Sequence, residues 1–332
     1  MSSFFKAVVF LILSAIVGAI GAGYWVISQI SAPGPLAQET AITVEPGMGT
    51  RQIEGALLEA GALAEGPIPL FSIAARMIEP EAHLKAGEFT IPAHASPRQI
   101  LDILRHGTAI QHSLTLAEGL TTLEILALVN ADPTLSGPPI DPETIAEGAL
   151  LPETYSFPRN YSRMRLVGRM RAARDKVLKD AWESRPEGYP LASQEEALIL
   201  ASIIEKETGV GDERAKVAGV FINRLRKNML LQTDPTVIYA LTLGKQTLDR
   251  ELTRKDLKIN SPYNTYVTPG LPPGPICNPG EAAIRAALAP QDTDALYFVA
   301  DGSGGHAFAR TLKEHQRNVA QWRKIQRERG LR

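Results

Sequence analysis

The stretch LILASIIEKETG, residues 198–209, ends an apolar run in two carboxylates, Glu205 and Glu207, with Lys206 between them. At about 100° per residue the apolar positions 197–201, 203 and 204 surround a helix on every side, the pattern of a buried helix. Glu205 then projects on the face of Leu198 and Ala201, and Glu207 roughly opposite, toward Leu200 and Ile203. Desolvation disfavours a charged carboxylate there, and the negative end of the helix dipole disfavours it again. Both effects raise the pKa, as suits a general acid near neutral pH. The competing reading is a glutamate held by Lys206, Arg214 or a backbone group at the helix end. Periodicity does not choose between the two residues.

Other chemistries are poorly supplied. Cys277 sits in GPICNPG with no local histidine partner and reads as structural or incidental. The six histidines show neither HExxH nor another zinc spacing, so no metal is expected. Ser303 in DGSGGH lacks the strand–turn–helix setting of a nucleophile elbow. Phosphate-loop and dinucleotide fingerprints are absent, and no cofactor is expected. His306 in GGHAF either hydrogen-bonds a ligand or finishes a turn. What remains is a carboxylate with a rim of amide, hydroxyl and aromatic groups. Such a rim suits a sugar polymer, whose ring faces stack on Tyr and whose hydroxyls bond to Asn, Gln and Thr.

These groups need elements to hold them. Ser193, with Glu196 three residues on, reads as the capping box of the glutamate helix, which stops at Gly209. Asp212 reads as the cap of a second helix through Val217, Phe221 and Leu225. LQTDPTVIYA and SPYNTYVTPGLPPGPICNPG read as long ordered loops, the kind that carries function. A helix over 280–288, a strand LYFVA, a DGSGG turn, AFART and a charged helix follow. Upstream, residues 108–190 read as strand, turn and helix, then the loop AEGALLPETYSFPRNYS, then a helix over 164–182 whose basic residues read as a solvated face. Residues 41–107 read as a small α+β unit, with Thr50 and Ser96 as helix caps, Pro97 at a first helical position and Gly107 at a stop.

The chain has 332 residues, 44% apolar and 21% charged, which is globular material for two ordinary domains and a leader. A net charge of −1 without a long basic run argues against nucleic acid as a partner. One cysteine excludes an internal disulfide framework. Residues 7–27 contain no charge and are long enough to cross a bilayer core. Lys6 precedes them and the first charge after them is Glu39, so the positive-inside bias puts the N-terminus in the cytoplasm and the bulk outside. No A-x-A-like site follows, which favours a retained anchor over a cleaved signal peptide. Residues 31–40, SAPGPLAQET, read as a tether.

Taken together, ILASIIEKET, VFINRLRKNMLLQTDPTVIY, SPYNTYVTPGLPPGPICNPG, LYFVADGSGGHAF and the later Glu314–His315 resemble the endolytic murein transglycosylase (YceG-like) family of bacteria over residues 108–325, and LPETYSF is another family-like block. The resemblance implies an α+β protein in four parts: a cytoplasmic stub and transmembrane anchor over 1–30, a linker over 31–40, a LysM-like α+β module over 41–107, and a mixed α/β catalytic domain over 108–332. It implies cleavage of peptidoglycan glycan strands between N-acetylmuramic acid and N-acetylglucosamine, without water as nucleophile, leaving a 1,6-anhydromuramoyl end. It implies Glu205 as the single acid–base residue, peptidoglycan synthases as partners, and a role in ending strand elongation at the inner membrane. For the sugar rim the candidates are Gln232, Thr233, Asp234, Tyr263, Asn264, Thr265 and Tyr266, by stacking and hydrogen bonding to sugar, with Glu153, Tyr155 and His306 as additions. Asn264 and Asp234-Pro235 have loop-fixing as a competing role. The competing functions are a water-using muramidase and a non-catalytic, membrane-tethered glycan-binding scaffold. A peptidase is disfavoured by the missing nucleophile or metal set.

Overall fold

The computed structural model describes residues 3–330. It is a mixed α+β structure that divides into two compact units. The first holds the described residues up to His112 together with Ser156–Tyr161, and the second holds Ser113–Tyr155 with residues 162–330.

The first unit opens with α1 (Ser3–Ser31), whose stretch Phe5–Ser31 has a mean hydropathy of 2.3 and is long and apolar enough to cross a membrane. Next come β1 (Thr40–Val44), α2 (Thr50–Glu59), α3 (Leu70–Met77), β2 (Gly87–Ile91) and α4 (Pro97–His106). β1 and β2 pair antiparallel with Ile42 opposite Phe89, and their alternating inward side chains meet Ile53, Leu57, Phe71, Ile100 and Leu104 from the three helices. Ser96 caps α4 as its sequence predicts, accepting from the Gln99 N–H, while α2 begins one residue earlier than read, with Thr50 inside and Gly49 at the cap. The buried Glu54 accepts from the Phe71 N–H at 3.0 Å and the Ser72 hydroxyl at 2.5 Å, so its charge serves the start of α3.

The chain then supplies β3 (Gln111–Thr115), α5 (Thr122–Ala131), β4 (Leu135–Ser136), β5 (Thr154–Pro158), β6 (Tyr161–Ser162) and α6 (Arg163–Glu183). The core of the second unit is α7 (Gln194–Glu207), in which every residue from Ala197 to Ile204 is buried. α8 (Arg214–Arg226), α9 (Asp234–Thr242) and α10 (Glu281–Leu288) follow; α10 packs against α6, α7 and α8. Each large apolar side chain that α7 buries contributes about 1.5–3 kcal/mol, so its position is heavily determined. A hairpin of β7 (Tyr297–Ala300) and β8 (His306–Ala309) and the closing α11 (Leu312–Glu328) complete the unit.

Three local expectations change. Asp212 lies in a 3-10 turn, Gly211–Glu213, so α8 starts after Glu213 instead. The Glu196 carboxylate reaches back to the Ala192 N–H and not to that of Ser193, although Ser193 still accepts from the Glu196 N–H. LQTDPTVIYA is not all loop: Pro235 stands in the first turn of α9, where its missing N–H costs nothing.

Candidate active site

The last turn of α7 presents its two glutamates to different surroundings. Glu205 is enclosed, with 5% of its side chain exposed. Its Oε2 accepts from the Gly280 N–H at 2.8 Å, and its Oε1 lies 3.4 Å from Nη2 of Arg214. The same guanidinium nitrogen is 3.3 Å from Oε2 of Glu118. A Cβ at Gly280 would stand 1.9 Å from the Glu118 carboxylate, so a side chain there would push Glu118 away from Arg214. Burial raises the Glu205 pKa; the Gly280 N–H and Arg214 oppose the rise, and Glu118 adds to it.

Glu207 faces a cleft of about 480 Å³. Its walls are Arg224 from α8, Gln232 and Asp234 at the entry to α9, Tyr266, Tyr297 and His306 from the hairpin, and His315 from α11. Burial pushes the Glu207 carboxyl up to about 7; Asp234 adds to the rise, while Thr233, His306 and Arg224 oppose it. A carboxyl poised near neutrality at the wall of an open cleft can both give and take a proton.

The walls are built stiffly. Arg224 donates from Nε to the Leu296 carbonyl at 2.7 Å and from Nη1 to the Leu231 carbonyl at 2.8 Å, tying the hairpin to the turn before α9. Burial lowers its pKa, but a guanidinium stays charged regardless. The Tyr266 hydroxyl donates to Oδ1 of Asp234 at 2.6 Å. Gln232 adopts φ of +50°, a left-handed conformation that non-glycine residues rarely hold outside turns and functional sites. Glu213 receives the His306 backbone N–H at 2.9 Å and pairs with its Nδ1 at 2.7 Å. The carboxylate thus holds Nδ1 as the protonated nitrogen. The Tyr297 and His315 rings stack with centroids 5.2 Å apart.

Of the residues nominated from sequence, the structure gathers Gln232, Asp234, Tyr266 and His306 around Glu207. Glu205 is not in that group. Thr233, Asn264 and Thr265 are buried, and Thr233 lies beside Glu207. Asn264 donates to the Leu257 and Ile259 carbonyls and accepts from the Tyr266 N–H, so it fixes the loop that carries Tyr266. The Thr265 hydroxyl oxygen accepts from the Thr233 N–H and pairs with the Thr236 hydroxyl at 2.8 Å. Tyr263 packs on Tyr239 at 4.9 Å between ring centroids. Tyr155 is buried and its hydroxyl donates to the Leu151 carbonyl at 2.8 Å; burial raises its pKa to about 12. Glu153 is exposed, and its carbonyl accepts from the Leu116 N–H. Sequence reasoning left out Glu213 and took Arg224, Tyr297 and His315 only as parts of strings. An arginine following the apolar run Val217–Ile222 in a helix was the available signal for Arg224. Among the described residues no group of three or more His, Cys, Asp or Glu is placed to hold a metal ion.

The irregular segment before α10 is held by buried polar groups. The Ser202 hydroxyl, inside α7, accepts from the Ile276 N–H at 3.0 Å. Asn278 accepts from the Leu150 N–H and donates to the Leu120 carbonyl, the Thr122 hydroxyl and Glu147. Such fully paired networks rigidify a loop that has no regular secondary structure.

Comparison with known proteins places this geometry. The YceG-like family model matches residues 42–321. A protein of Bacillus subtilis named endolytic murein transglycosylase is 43% identical over 171 residues, 52% of this chain and 46% of that one. One of the same name from Streptococcus pneumoniae serotype 2 is 37% identical over 177 residues, 53% of this chain and 32% of that one. The chain therefore spans less than half the length of the curated relatives it matches. The crystal structure of a YceG-like protein from Listeria monocytogenes superposes with a TM-score of 0.51 and 30% identity, covering 84% of this chain and 98% of that one. With the family model covering most of its length, this chain belongs to the YceG-like family.

Proposed function

We infer that this protein is a membrane-anchored peptidoglycan lytic transglycosylase that cuts glycan strands internally. The observation that carries the reading is the Glu207 cleft: a carboxyl with its pKa raised to about 7, facing amide, hydroxyl and aromatic groups of the kind that bind sugars. The names of the relatives support it.

In this reading the protonated Glu207 gives its proton to the oxygen of the bond between N-acetylmuramic acid and N-acetylglucosamine as the C1–O bond breaks. The resulting carboxylate takes the proton from the muramoyl 6-hydroxyl, and that oxygen bonds to C1. A 1,6-anhydro ring forms, the carboxyl returns to its acid form, and no water is consumed. One carboxyl suffices because the attacking hydroxyl is part of the substrate and its effective concentration is high. Two-carboxylate glycosidases need their second acid to attack or to activate water.

The resemblance assigns this role to Glu205, and a specific observation favours that second reading: burial raises its pKa too. The geometry favours Glu207, since the Glu205 oxygens are engaged by Gly280 and Arg214. Around this site we infer an anchor over 1–30 with the bulk outside the plasma membrane, a linker over 31–40, a LysM-like module over 41–107 and a catalytic domain over 108–332. We further infer that peptidoglycan synthases are its partners and that its cuts end strand elongation.

The test is mass spectrometry of purified peptidoglycan digested by the full chain in detergent and by its Glu207→Gln and Glu205→Gln variants. Anhydromuramoyl ends from the parent, lost in Glu207→Gln, are expected. Loss only in Glu205→Gln would move the acid. Reducing ends would mean hydrolysis by water, and no fragments from the parent would favour a scaffold.

A further inference from the structure

The first unit contains a second large cleft that the glycan reaction leaves unused. It measures about 620 Å³, within the usual range for small-molecule sites. Its floor and walls include Pro35, Leu58, Leu63, Ile68, Leu70 and Phe71. It is also lined by Gln29 and Ala32, at the end of α1. The exposed aromatic pair Tyr24 and Trp25 lies in the same helix, about 10 Å before Ala32 at the helical rise. Such rings mark the level where hydrocarbon meets headgroups. The cleft therefore opens next to the bilayer surface if α1 spans it.

Two further features describe the occupant. Gly55 lies inside α2 and lines the cleft, and a Cβ placed on it would meet nothing within 4 Å. A glycine inside a helix costs stability relative to alanine, and here the missing side chain leaves the apolar space unfilled. Arg51, exposed near the start of α2, also lines the cleft and makes no ion pair among the described residues. Glu54 also lines the cleft, but it makes no ion pair with Arg51: its oxygens accept from the Phe71 N–H and the Ser72 hydroxyl, at the start of α3. An apolar cavity with one free guanidinium, continuous with a membrane helix, matches a lipid that carries an acyl chain and a phosphate.

We propose that this cleft holds an acyl chain of an anionic phospholipid of the outer leaflet, with the lipid phosphate on Arg51. The proposal rests on the reading of α1 as a membrane anchor. The lipid would fix how the first unit stands on the membrane.

The experiment is native mass spectrometry of the full chain released from detergent after incubation with phosphatidylglycerol, phosphatidylcholine or a polyprenyl phosphate. Two variants plug the cleft, Gly55→Phe from α2 and Ala64→Trp from its exposed rim; a third, Arg51→Gln, removes the cation. The parent is expected to retain phosphatidylglycerol at least about fivefold more than either plugged variant, and Arg51→Gln to bring that retention down to the phosphatidylcholine level. Equal retention by the parent and both plugged variants overturns the proposal. Preferential retention of the polyprenyl phosphate overturns the choice of phospholipid. Flotation of the parent with lipid vesicles tests the anchor separately: a parent that stays at the bottom of the gradient overturns the anchor and the proposal together.

Discussion

The two sides of the last turn of α7 differ less in burial than in what the protein has already done with each carboxylate. Desolvation raises the pKa of both glutamates. On one side Glu205 is consumed as an acceptor by the Gly280 N–H and Arg214, and Glu118 shares the same guanidinium. On the other, Glu207 lines a cleft with Asp234, Arg224 and His306, whose charges compete. A raised pKa therefore marks both residues and distinguishes neither. A general acid must also offer its proton to something outside the protein, and that condition separates them.

The comparison breaks most directly at the side chains themselves. Glu207→Gln should lower turnover of glycan about 10³-fold while leaving the fold intact, because the amide fits the same space and has no proton to give. Glu205→Gln should lower turnover no more than about tenfold and instead cost about 1–3 kcal/mol of stability, because Arg214 loses part of its paired charge. Digestion rates and urea unfolding on the same preparations read both effects. A reversed pattern would give the acid to Glu205.

The pH dependence sharpens the contrast at a smaller scale. A carboxyl whose folded pKa lies above its unfolded value binds more protons folded than unfolded between the two. Its contribution to stability is full below about 4.5 and is lost as pH rises through about 7 for Glu207. Glu147 and Glu205 are shifted in the same direction and His315, lowered by burial, contributes in the opposite sense, so the parent's own curve mixes several groups. The difference between parent and Glu207→Gln isolates one. Between pH 5 and pH 8 the parent should lose about 2 kcal/mol more than the variant in urea unfolding, a figure reduced for the open cleft. Turnover should fall along the alkaline limb near pH 7 as the acid loses its proton. A flat profile from pH 6 to 8 would remove Glu207 from the proton transfer.

Most of the frame was legible in the sequence. Ser193, Ser96 and Pro97 announce helix starts through local hydrogen bonding and a fixed φ, which need no tertiary knowledge. The apolar ring around α7 announces its burial. What periodicity could not supply is which side of α7 meets the cleft, because a helix buried all round has no polar face to reveal its orientation. That choice is made by loop residues far along the chain. Asn264, which sequence reading placed on the sugar rim with loop-fixing as its rival, spends its amide on the Leu257 and Ile259 carbonyls and so carries Tyr266 into place. Arg224 was passed over because one arginine in a helix looks like a solvated residue until its carbonyl partners at Leu231 and Leu296 are known.

The finest test of the contrast concerns a residue that touches neither glutamate. Glu213 holds the backbone N–H of His306 with one oxygen and Nδ1 with the other. A Cβ at the adjoining Gly305 would stand 2.7 Å from the first of those oxygens, so the hairpin approaches the carboxylate without a side chain between them. In Glu213→Gln the amide oxygen can still accept from one N–H, but the amide nitrogen cannot accept from the other. His306 then loses the partner that sets its tautomer, and one wall of the Glu207 cleft loosens. Glycan turnover should drop about three- to tenfold, carried more by KM than by kcat, since the wall binds and does not transfer the proton. The alkaline limb near pH 7 should stay in place, because Glu207 keeps Asp234 and Arg224 beside it. If that limb instead moved with the substitution, His306 would be part of the proton path and the cleft would hold two titrating partners in place of one.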